Sequence, residues 1–299
     1  MTKDRLLSHH QYNEELDQLI KKTTERIQSE GDKPHVSVEK QLKLLAELAQ
    51  FDFGRFLLQN GGLNGYWTHY MLTYPWLGKK TGCNNRGEAF TTLEYYLLEQ
   101  APTILATQQR FKIFLKENQK YVKERAVLAC IPCGMMGELL YLDFDSVDSI
   151  RLIGIDFDRD TFKDARLLAK EKQLTDFVEF SQKDAWDLNI NQEYDLISSN
   201  GLNIYEPDNN KVIELYKQFY LALKEGGHLV TSFLTYPPAL TTSCEWIESK
   251  INQDDLLMQR IIFSDILNVK WQCFRSSKET EMQLQAVGFK DIRFYDDDT

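Results

Sequence analysis

Residues 126–140 read AVLACIPCGMMGELL, a pattern that predicts a short buried strand, a tight turn and the start of a helix. A glycine-bearing turn lets backbone N–H groups approach a ligand closely, and the helix that follows directs its partly positive N-terminus to the same point. A second apolar run, Arg151–Asp156, ends in a carboxylate about 20 residues after Gly134, the spacing at which such folds place an acid for a ribose. We therefore predict a site for a nucleotide-like cofactor around Gly134 and Asp156.

The segments after Val127 alternate between strand and helix patterns, which is typical of a parallel sheet covered on both faces. We predict a doubly wound, mostly parallel α/β sheet over residues 122–299, interrupted by a mostly helical insertion at about 236–275. Residues 1–121 have little strand pattern and are expected to form a helical N-terminal cap and substrate region. The further predicted strands are 177–181, 194–199, 228–234 and a sixth at 288–295, and the further predicted helices are 160–172, 208–224 and one that begins at the capping box of Ser276 and Glu279.

This order of elements resembles the class I S-adenosylmethionine-dependent methyltransferases. The matching features are the strand and glycine turn, the acid that ends the second strand, and the glycine pair before the fifth strand. In that family an acid precedes a Gly-x-Gly-x-Gly turn. Here Cys133 and Gly134 match the central pair, Pro132 stands at the first glycine position, and the last glycine falls one residue late at Gly137. No acid stands at the matching strand end, where Cys130 or Ile131 lies. The resemblance implies S-adenosylmethionine as cofactor and S-adenosylhomocysteine as product, and we expect no metal.

The resemblance also assigns the cofactor contacts. Asp156 would accept from the ribose hydroxyls, Phe157 would lie along the adenine, Asp184 would accept from the adenine amino group, and Asn200 would line the methionine part. Each has an alternative as a surface acid, a core aromatic or a loop residue that caps a turn. The predicted cofactor-binding residues are Pro132, Cys133, Gly134, Asp156, Phe157, Asp184, Ala185, Trp186, Asn200 and Gly201.

An aromatic cluster follows the glycine-rich loop at residues 60–65. Aromatic side chains combine apolar area with a polar tip and attract cations such as a sulfonium, so a substrate or cofactor lid is one interpretation and an aromatic mini-core is the other. The lid residues would be Tyr66, Trp67, His69, Tyr70 and, after the fifth strand, Tyr236. Methyl transfer is an in-line displacement in which positioning can carry most of the work, and the candidate catalytic residues are Tyr205 and Glu206.

The overall composition restricts the class of protein. The net charge of −10 over 299 residues disfavours nucleic acid as a partner, and no window reaches the ~18 apolar residues of a membrane span. No signal-peptide pattern opens the chain, so we expect a cytoplasmic protein without a membrane partner. The five cysteines do not form a disulfide framework, and no second Cys/His pair stands at zinc-ligand spacing. Oligomeric state is not readable from the sequence.

We predict transfer of a methyl group from S-adenosylmethionine to a small-molecule acceptor, at oxygen or nitrogen more than at carbon. The alternatives are a protein or peptide acceptor, and a protein that binds the cofactor without turnover. A remote alternative is a thiol redox protein that uses Cys130 and Cys133, which spell Cys-x-x-Cys. A nicotinamide dehydrogenase is disfavoured because the turn lacks the glycine pattern that admits a pyrophosphate.

Overall fold

The chain divides into two compact units. The computed structural model describes residues 15–238, 240–269 and 273–297. One unit, called the sheet unit below, holds residues 110–246 and 273–297. The other, called the helical unit, holds residues 15–109 and 247–269.

Twelve α-helices and five β-strands are present among the described residues. The helices are α1 Leu16–Glu30, α2 Val38–Leu48, α3 Asp52–Asn60, α4 Gly65–Thr73, α5 Gly78–Thr81, α6 Thr92–Glu99, α7 Pro102–Gln119, α8 Gly137–Leu140, α9 Thr161–Glu171, α10 Asn209–Ala222, α11 Gln253–Arg260 and α12 Ser277–Val287. The strands are β1 Val127–Cys130, β2 Arg151–Asp156, β3 Val178–Gln182, β4 Tyr194–Ser199 and β5 Leu223–Thr231. Short 3₁₀ turns lie at Thr175–Phe177, Asn203–Tyr205 and Glu248–Lys250, and a π-helical turn follows α11 at Ile261–Ile266.

The sheet unit is built on a parallel sheet with the strand order β3-β2-β1-β4-β5. The chain moves from β1 outward to β3 and then returns to the other side of β1 with β4. The carboxyl ends of β1 and β4 therefore flank the point where the strand order reverses, which is where open α/β sheets bind ligands.

Helices cover both faces of this sheet. On one face Ala129, Ile153 and Ile197 belong to a buried cluster that includes residues of α10 and α12. On the other face Leu128 and Leu152 belong to a second cluster, with residues of α8 and α9. The two clusters follow from the alternation of side chains along each strand, and they confirm the predicted doubly wound α/β fold.

Two predicted elements at the β5 edge of the sheet differ from the observed ones. The helix predicted to run to Lys224 ends at Ala222, and β5 begins at Leu223 and contains the Gly226-Gly227 pair that was expected to precede it. Pairing with β4 starts at Tyr194↔Leu223 and continues after a register shift, so the chain enters the strand earlier than the apolar run at 228–234 indicates.

The sixth strand predicted at 288–295 is wrong: these residues have no strand structure in the part of the chain described. Gly288 and Asp291 have φ angles of 113° and 55°, in the left-handed region that interrupts an extended backbone. Residues 293–296 are also exposed, so pairing there would bury little apolar surface. The capping box predicted for Ser276 and Glu279 is present at the start of α12.

Within the helical unit, ionic and hydrogen-bond contacts join the segment 247–269 to the N-terminal part of the unit. Asp265 in the π-helical turn accepts from Lys33 Nζ at 2.8 Å and lies 2.8 Å from His35 Nε2. This segment lies within the insertion that was predicted to be mostly helical, and it forms a 3₁₀ turn, α11 and the π-helical turn.

Substitution of Gly154 in β2 tests how tightly the turn after β1 packs against the sheet. A Cβ atom at this position would lie 2.8 Å from Phe180 Cδ1 and 3.3 Å from Cys133 Cβ. We expect Gly154→Ala to lower the free energy of unfolding in urea by about 1–3 kcal/mol because the core must shift to admit the methyl group. Glu179→Ala, at an exposed position of β3, should change it by no more than about 0.5 kcal/mol. Equal stability of the two variants would contradict the close packing.

Candidate cofactor site

The turn after β1 is held against the neighbouring strands by backbone hydrogen bonds. Ile131 N–H donates to Ser198 O at 2.9 Å, and Cys133 N–H donates to Ile155 O at 2.8 Å. Gly134 and Met136 have φ angles of 47° and 60°, and the left-handed conformation of Met136 leads directly into α8. The predicted strand, turn and helix are thus present, with Pro132 half-buried at the start of the turn.

Asp156 joins the turn to the end of β2. Its Oδ2 accepts from Gly134 N–H at 3.0 Å, and its Oδ1 accepts from Asp158 N–H at 3.0 Å. Burial raises the pKa of the Asp156 carboxyl, and these backbone N–H groups act against that rise. The residue predicted to hold the ribose is therefore also the residue that fixes the shape of the turn.

The predicted adenine-side residues lie beside this acid. Phe157 is 53% exposed, so its ring is not part of the core. Lys183 N–H donates to Asp156 O at 3.1 Å, which brings the loop after β3 next to the end of β2. In that loop Asp184 Oδ1 accepts from Trp186 N–H at 2.9 Å, and Ala185 is buried. Asp184 thus forms the loop turn that was the alternative to an adenine contact.

Asn200, at the end of β4, bridges two side chains that the sequence analysis did not single out. Its Nδ2 donates to Glu138 Oε1 at 2.9 Å, and its Oδ1 accepts from Ser232 Oγ at 3.1 Å. Glu138 lies in the first turn of α8 and is buried. Burial raises the pKa of Glu138, against the effect of the hydrogen bond from Asn200. The next residue, Gly201, has a φ of 82°, which suits a glycine at this strand end.

The C-terminal half of α7 adds two further polar residues to the same region. Asn118 is fully buried, and its Nδ2 donates to Glu138 O at 3.1 Å and to Ser198 Oγ at 3.0 Å. Arg110, two turns earlier, interacts electrostatically with Glu138 and Tyr205. Burial lowers the pKa of Arg110, and its Nε is a buried atom without a hydrogen-bond partner among the described residues. A charged side chain in this position is suited to an anion.

The two candidate catalytic residues have different surroundings. Burial raises the pKa of Tyr205, and the charge of Arg110 acts in the opposite direction. Glu206 has its Oε1 occupied by Asp208 N–H at 2.9 Å at the start of α10, and its Oε2 lies 4.0 Å from Lys211 Nζ. Glu206 therefore supports the local backbone, and Tyr205 is the better candidate.

Four of the predicted lid residues lie in the helical unit, and Tyr236 lies in the sheet unit. In the helical unit Trp67 is 7% exposed and stacks on Phe53 with ring centroids 5.4 Å apart, and Tyr70 Oη donates to Glu94 Oε1 at 2.9 Å. Tyr66 is exposed and His69 is half-buried. Trp67 and Tyr70 thus take part in the mini-core that was the alternative. In the sheet unit the Tyr236 ring lies 6.2 Å from that of Phe274.

The Cys-x-x-Cys pair does not have the surroundings of a redox site. Cys130 is 1% exposed and Cys133 is 2% exposed, and burial raises the pKa of both thiols well above the ordinary value. Because the thiolate is the reactive form, these thiols are poor nucleophiles. All five cysteines are free. Among the residues described, no group of three or more His, Cys, Asp or Glu side chains is arranged to hold a metal ion, and no helix is long and apolar enough to cross a membrane.

A family model and a solved structure both match a large part of the chain. Residues 133–284, just over half of the chain, match the family model described as a methyltransferase domain. The structure is similar to that of a possible exported protein from Bordetella parapertussis, with 39% sequence identity, a TM-score of 0.87 and coverage of 94% of this chain and 91% of that chain. No curated protein matches the sequence.

Two more distant structures are similar in part. Geranyl diphosphate C-methyltransferase from Streptomyces coelicolor A3(2), in complex with Mg²⁺, geranyl-S-thiolodiphosphate and S-adenosyl-L-homocysteine, has 14% identity and a TM-score of 0.40, with coverage of 58% of this chain and 56% of that chain. The YcgJ protein from Bacillus subtilis has 19% identity and a TM-score of 0.41, with coverage of 59% of this chain and 68% of that chain. Neither similarity bears on the acceptor.

The burial of the Cys130 and Cys133 thiols predicts their chemical protection. When the native protein is treated with iodoacetamide and mapped by mass spectrometry, we expect Cys83 and Cys244, which are half-buried, to be alkylated first. Cys130 and Cys133 should react only after the sheet unit unfolds, because the reagent cannot reach them and the thiolate is disfavoured. Rapid alkylation of Cys133 in the folded protein, or a Cys130–Cys133 disulfide in the unreduced protein, would contradict this assignment.

Proposed function

This chain belongs to the methyltransferase-domain family as a class I S-adenosylmethionine-dependent enzyme, and from that premise we propose that it transfers a methyl group from S-adenosylmethionine to a small-molecule acceptor. Oxygen and nitrogen acceptor atoms are proposed ahead of carbon on general chemical grounds. One observation carries the proposal for the site: the Asp156 carboxylate fixes the Gly134 turn at the carboxyl ends of the strands, beside the point where the strand order reverses.

The residues at this edge fit the parts of the cofactor. An ionised carboxylate offers about four acceptor positions, so Asp156 can accept from ribose hydroxyls beyond the bonds from Gly134 and Asp158. The exposed Phe157 ring offers apolar area for the adenine. Asn200 and Gly201 would line the methionine part at the end of β4. When bound, the cofactor supplies a methyl group activated by a positively charged sulfur.

Tyr205 is our proposed catalytic residue. Burial raises the pKa of the Tyr205 phenol, so its hydroxyl would orient an acceptor through a hydrogen bond more readily than it would remove a proton. That role is consistent with an in-line displacement, in which alignment of the acceptor atom with the methyl group carries most of the rate enhancement.

The charge of the chain supports a small acceptor. A net charge of −10 disfavours a nucleic-acid substrate, whose phosphates would be repelled. We also propose the cytoplasm as the compartment, which the five free thiols support because oxidising compartments favour disulfides. The Bordetella protein is described as possibly exported, and we do not extend that description to this chain.

Asp156→Asn tests the cofactor assignment. The amide retains one oxygen for the Gly134 N–H but loses the charge, so we expect S-adenosylhomocysteine to bind about 10- to 100-fold more weakly, as the loss of a charge-assisted hydrogen bond implies. Isothermal titration calorimetry would measure the dissociation constants.

Asp158→Asn is the matched control, because it removes a charge two residues away that does not bond Gly134. The affinity of this variant for S-adenosylhomocysteine should stay within about threefold of the wild-type affinity, well below the loss of about tenfold or more expected for Asp156→Asn. Equal binding by wild type and Asp156→Asn would remove Asp156 from the site. No binding of S-adenosylhomocysteine by wild type would overturn the cofactor itself.

A fractionated extract tests the acceptor class. The enzyme is incubated with S-adenosylmethionine and either the low-molecular-mass fraction or the protein fraction of a cell extract, and S-adenosylhomocysteine formation is measured. We expect product only with the low-molecular-mass fraction, together with a small molecule that gains the mass of one methylene group. Turnover with the protein fraction alone would indicate a protein acceptor. Cofactor binding without turnover in either fraction would favour a binding protein.

A further inference from the structure

Arg275 is a buried charged residue that binds the loop between β4 and α10. It lies in the return segment, residues 273–275, by which the chain re-enters the sheet unit from the helical unit, and it is 3% exposed. Its Nη1 donates to Asn203 O at 3.2 Å, its Nη2 to Glu206 O at 2.5 Å and its Nε to Asn209 Oδ1 at 2.8 Å. All three acceptors are neutral oxygens, so among the described residues hydrogen bonds hold this charge, and an ion pair does not.

A buried charge without a counter-charge is an unfavourable way to stabilise a fold. Its burial costs free energy that hydrogen bonds to neutral groups offset only in part, and a neutral side chain would avoid that cost. A guanidinium offers geometry in return, because its planar set of donors fixes several acceptors at once. The positions of these acceptors therefore indicate what Arg275 contributes.

The two backbone acceptors of Arg275 stand on either side of Tyr205. Asn203 and Glu206 are buried, whereas Tyr205 between them is half-buried. Because their carbonyls are bound by one rigid group, the backbone that carries the Tyr205 side chain is fixed both before and after it. The loop thus holds one partly accessible phenol on a buried, hydrogen-bonded support.

The return segment binds the same loop at a further point and is itself fixed on the sheet. Cys273 N–H donates to Ile204 O at 2.9 Å. Arg275 N–H donates to Leu234 O at 2.8 Å, and Leu234, which follows β5, forms a parallel bridge with Phe274. The support of the loop therefore extends through the return segment to the end of β5.

We propose that Arg275 is a positioning residue for methyl transfer, which holds the Tyr205 hydroxyl in line with the acceptor by fixing the backbone on both sides of it. This inference rests on the proposed function, in which Tyr205 orients the acceptor. An in-line displacement depends steeply on alignment, and a displacement of about 1 Å can lower the rate by about 100-fold. Arg275 acts on the reaction through Tyr205.

A purely structural role is the competing explanation. Arg275 would then stabilise the sheet unit, and its substitution would lower the activity by the same factor whether or not the Tyr205 hydroxyl is present. A positioning residue instead loses its effect once the group that it positions has been removed. A double-mutant cycle with Tyr205→Phe separates the two explanations.

The cycle compares wild type, Arg275→Lys, Tyr205→Phe and the double variant. Lysine keeps the positive charge, but a single ammonium group cannot reproduce the planar set of donors. The rate of S-adenosylhomocysteine formation is measured at saturating S-adenosylmethionine, with a fixed amount of the low-molecular-mass fraction of a cell extract as the source of acceptor. Calorimetric binding of S-adenosylhomocysteine and thermal unfolding show whether each variant is folded.

We expect Arg275→Lys to lower the rate by about 10- to 100-fold when Tyr205 is present, as misalignment implies. In the Tyr205→Phe background, whose own rate should be reduced by a similar factor, we expect a further loss of less than about threefold. The affinity for S-adenosylhomocysteine should stay within about threefold of wild type in every variant, because Arg275 bonds none of the proposed cofactor residues.

Gln283→Met is the matched control. Gln283 lies on α12, is 5% exposed, and donates from its Nε2 to Asn209 Oδ1 at 3.1 Å, the oxygen that also accepts from Arg275. Among the described residues it donates to neither carbonyl beside Tyr205. Its substitution removes a hydrogen bond from the same network, so the rate should stay within about threefold of wild type even where the unfolding midpoint falls.

If Arg275→Lys does not fold, Asn209→Ala performs the same test, because it keeps the guanidinium and removes one of its three acceptors. We then expect a loss of about three- to tenfold with Tyr205 present and none in the Tyr205→Phe background.

The outcomes separate this inference from the proposed function. Equal losses in the two backgrounds, or no loss with Tyr205 present, would overturn the positioning role and leave the proposed function intact. A wild-type rate in Tyr205→Phe would remove Tyr205 as the catalytic residue and the positioning role with it. Absence of both turnover and S-adenosylhomocysteine binding in wild type would overturn the proposed function itself.

Discussion

Strand β1 is the constraint on which the sheet unit depends. Its four residues are buried, and it pairs in parallel with β2 on one side and β4 on the other. Cys130 stands level with Gly154 and with Ser198, and β2 and β4 continue only to Asp156 and Ser199. The turn at 131–134, the acid at 156 and the amide at 200 therefore converge at one edge. The candidate site is a consequence of this register, because parallel strands place their carboxyl ends together.

The buried charges at that edge are compensated to different degrees. Asp156 receives backbone N–H groups on both oxygens, which fixes the turn and keeps the carboxylate oriented. Glu138 accepts from the Asn200 amide and from a backbone N–H, and the Cys130 thiol is a weak donor beside it. Arg110 has an unpaired Nε. A buried polar group without a hydrogen-bond partner has already lost its contact with water when the chain folds. A ligand that bonds to such a group therefore gains the full free energy of that bond.

The sequence predicted the centre of the sheet well and its edges poorly. The observed bounds of β2 and β4 are the predicted ones, because strands buried on both faces read as continuous apolar runs between polar turns. Strand β5 lies at the edge and carries Gly226 with a φ of 74°, so its pattern is broken and its start was missed. The segment predicted as a sixth strand has residue types that suit a strand. Its left-handed backbone at Gly288 and Asp291 interrupts an extended conformation, and its exposed side chains would bury little apolar surface on pairing.

The polar residues that were missed gave weaker signals for physical reasons. An acid in the first turn of a helix, as at Glu138, is what the helix dipole favours anyway, so its burial cannot be read from its type. Arg110 had a usable signal: together with Phe114 and Asn118 it recurs every four residues along α7, which places two polar residues on an apolar stripe. A charged residue on such a stripe indicates either a buried ion pair or a ligand. The sequence cannot show that its Nε is buried without a partner among the described residues.

The position of Glu138 also explains why a cysteine ends β1. The Cys130 thiol lies 3.8 Å from Glu138 Oε2, in the place where the resemblance to methyltransferases expects a carboxylate. Two carboxylates at that distance in a buried site would raise each other's pKa, and one of them would be protonated at neutral pH. A small, neutral thiol avoids this repulsion and leaves room for the longer Glu138 side chain to approach from α8. The neighbouring Glu138 carboxylate thus accounts for a neutral side chain at Cys130, and the Cys-x-x-Cys pattern requires no redox chemistry.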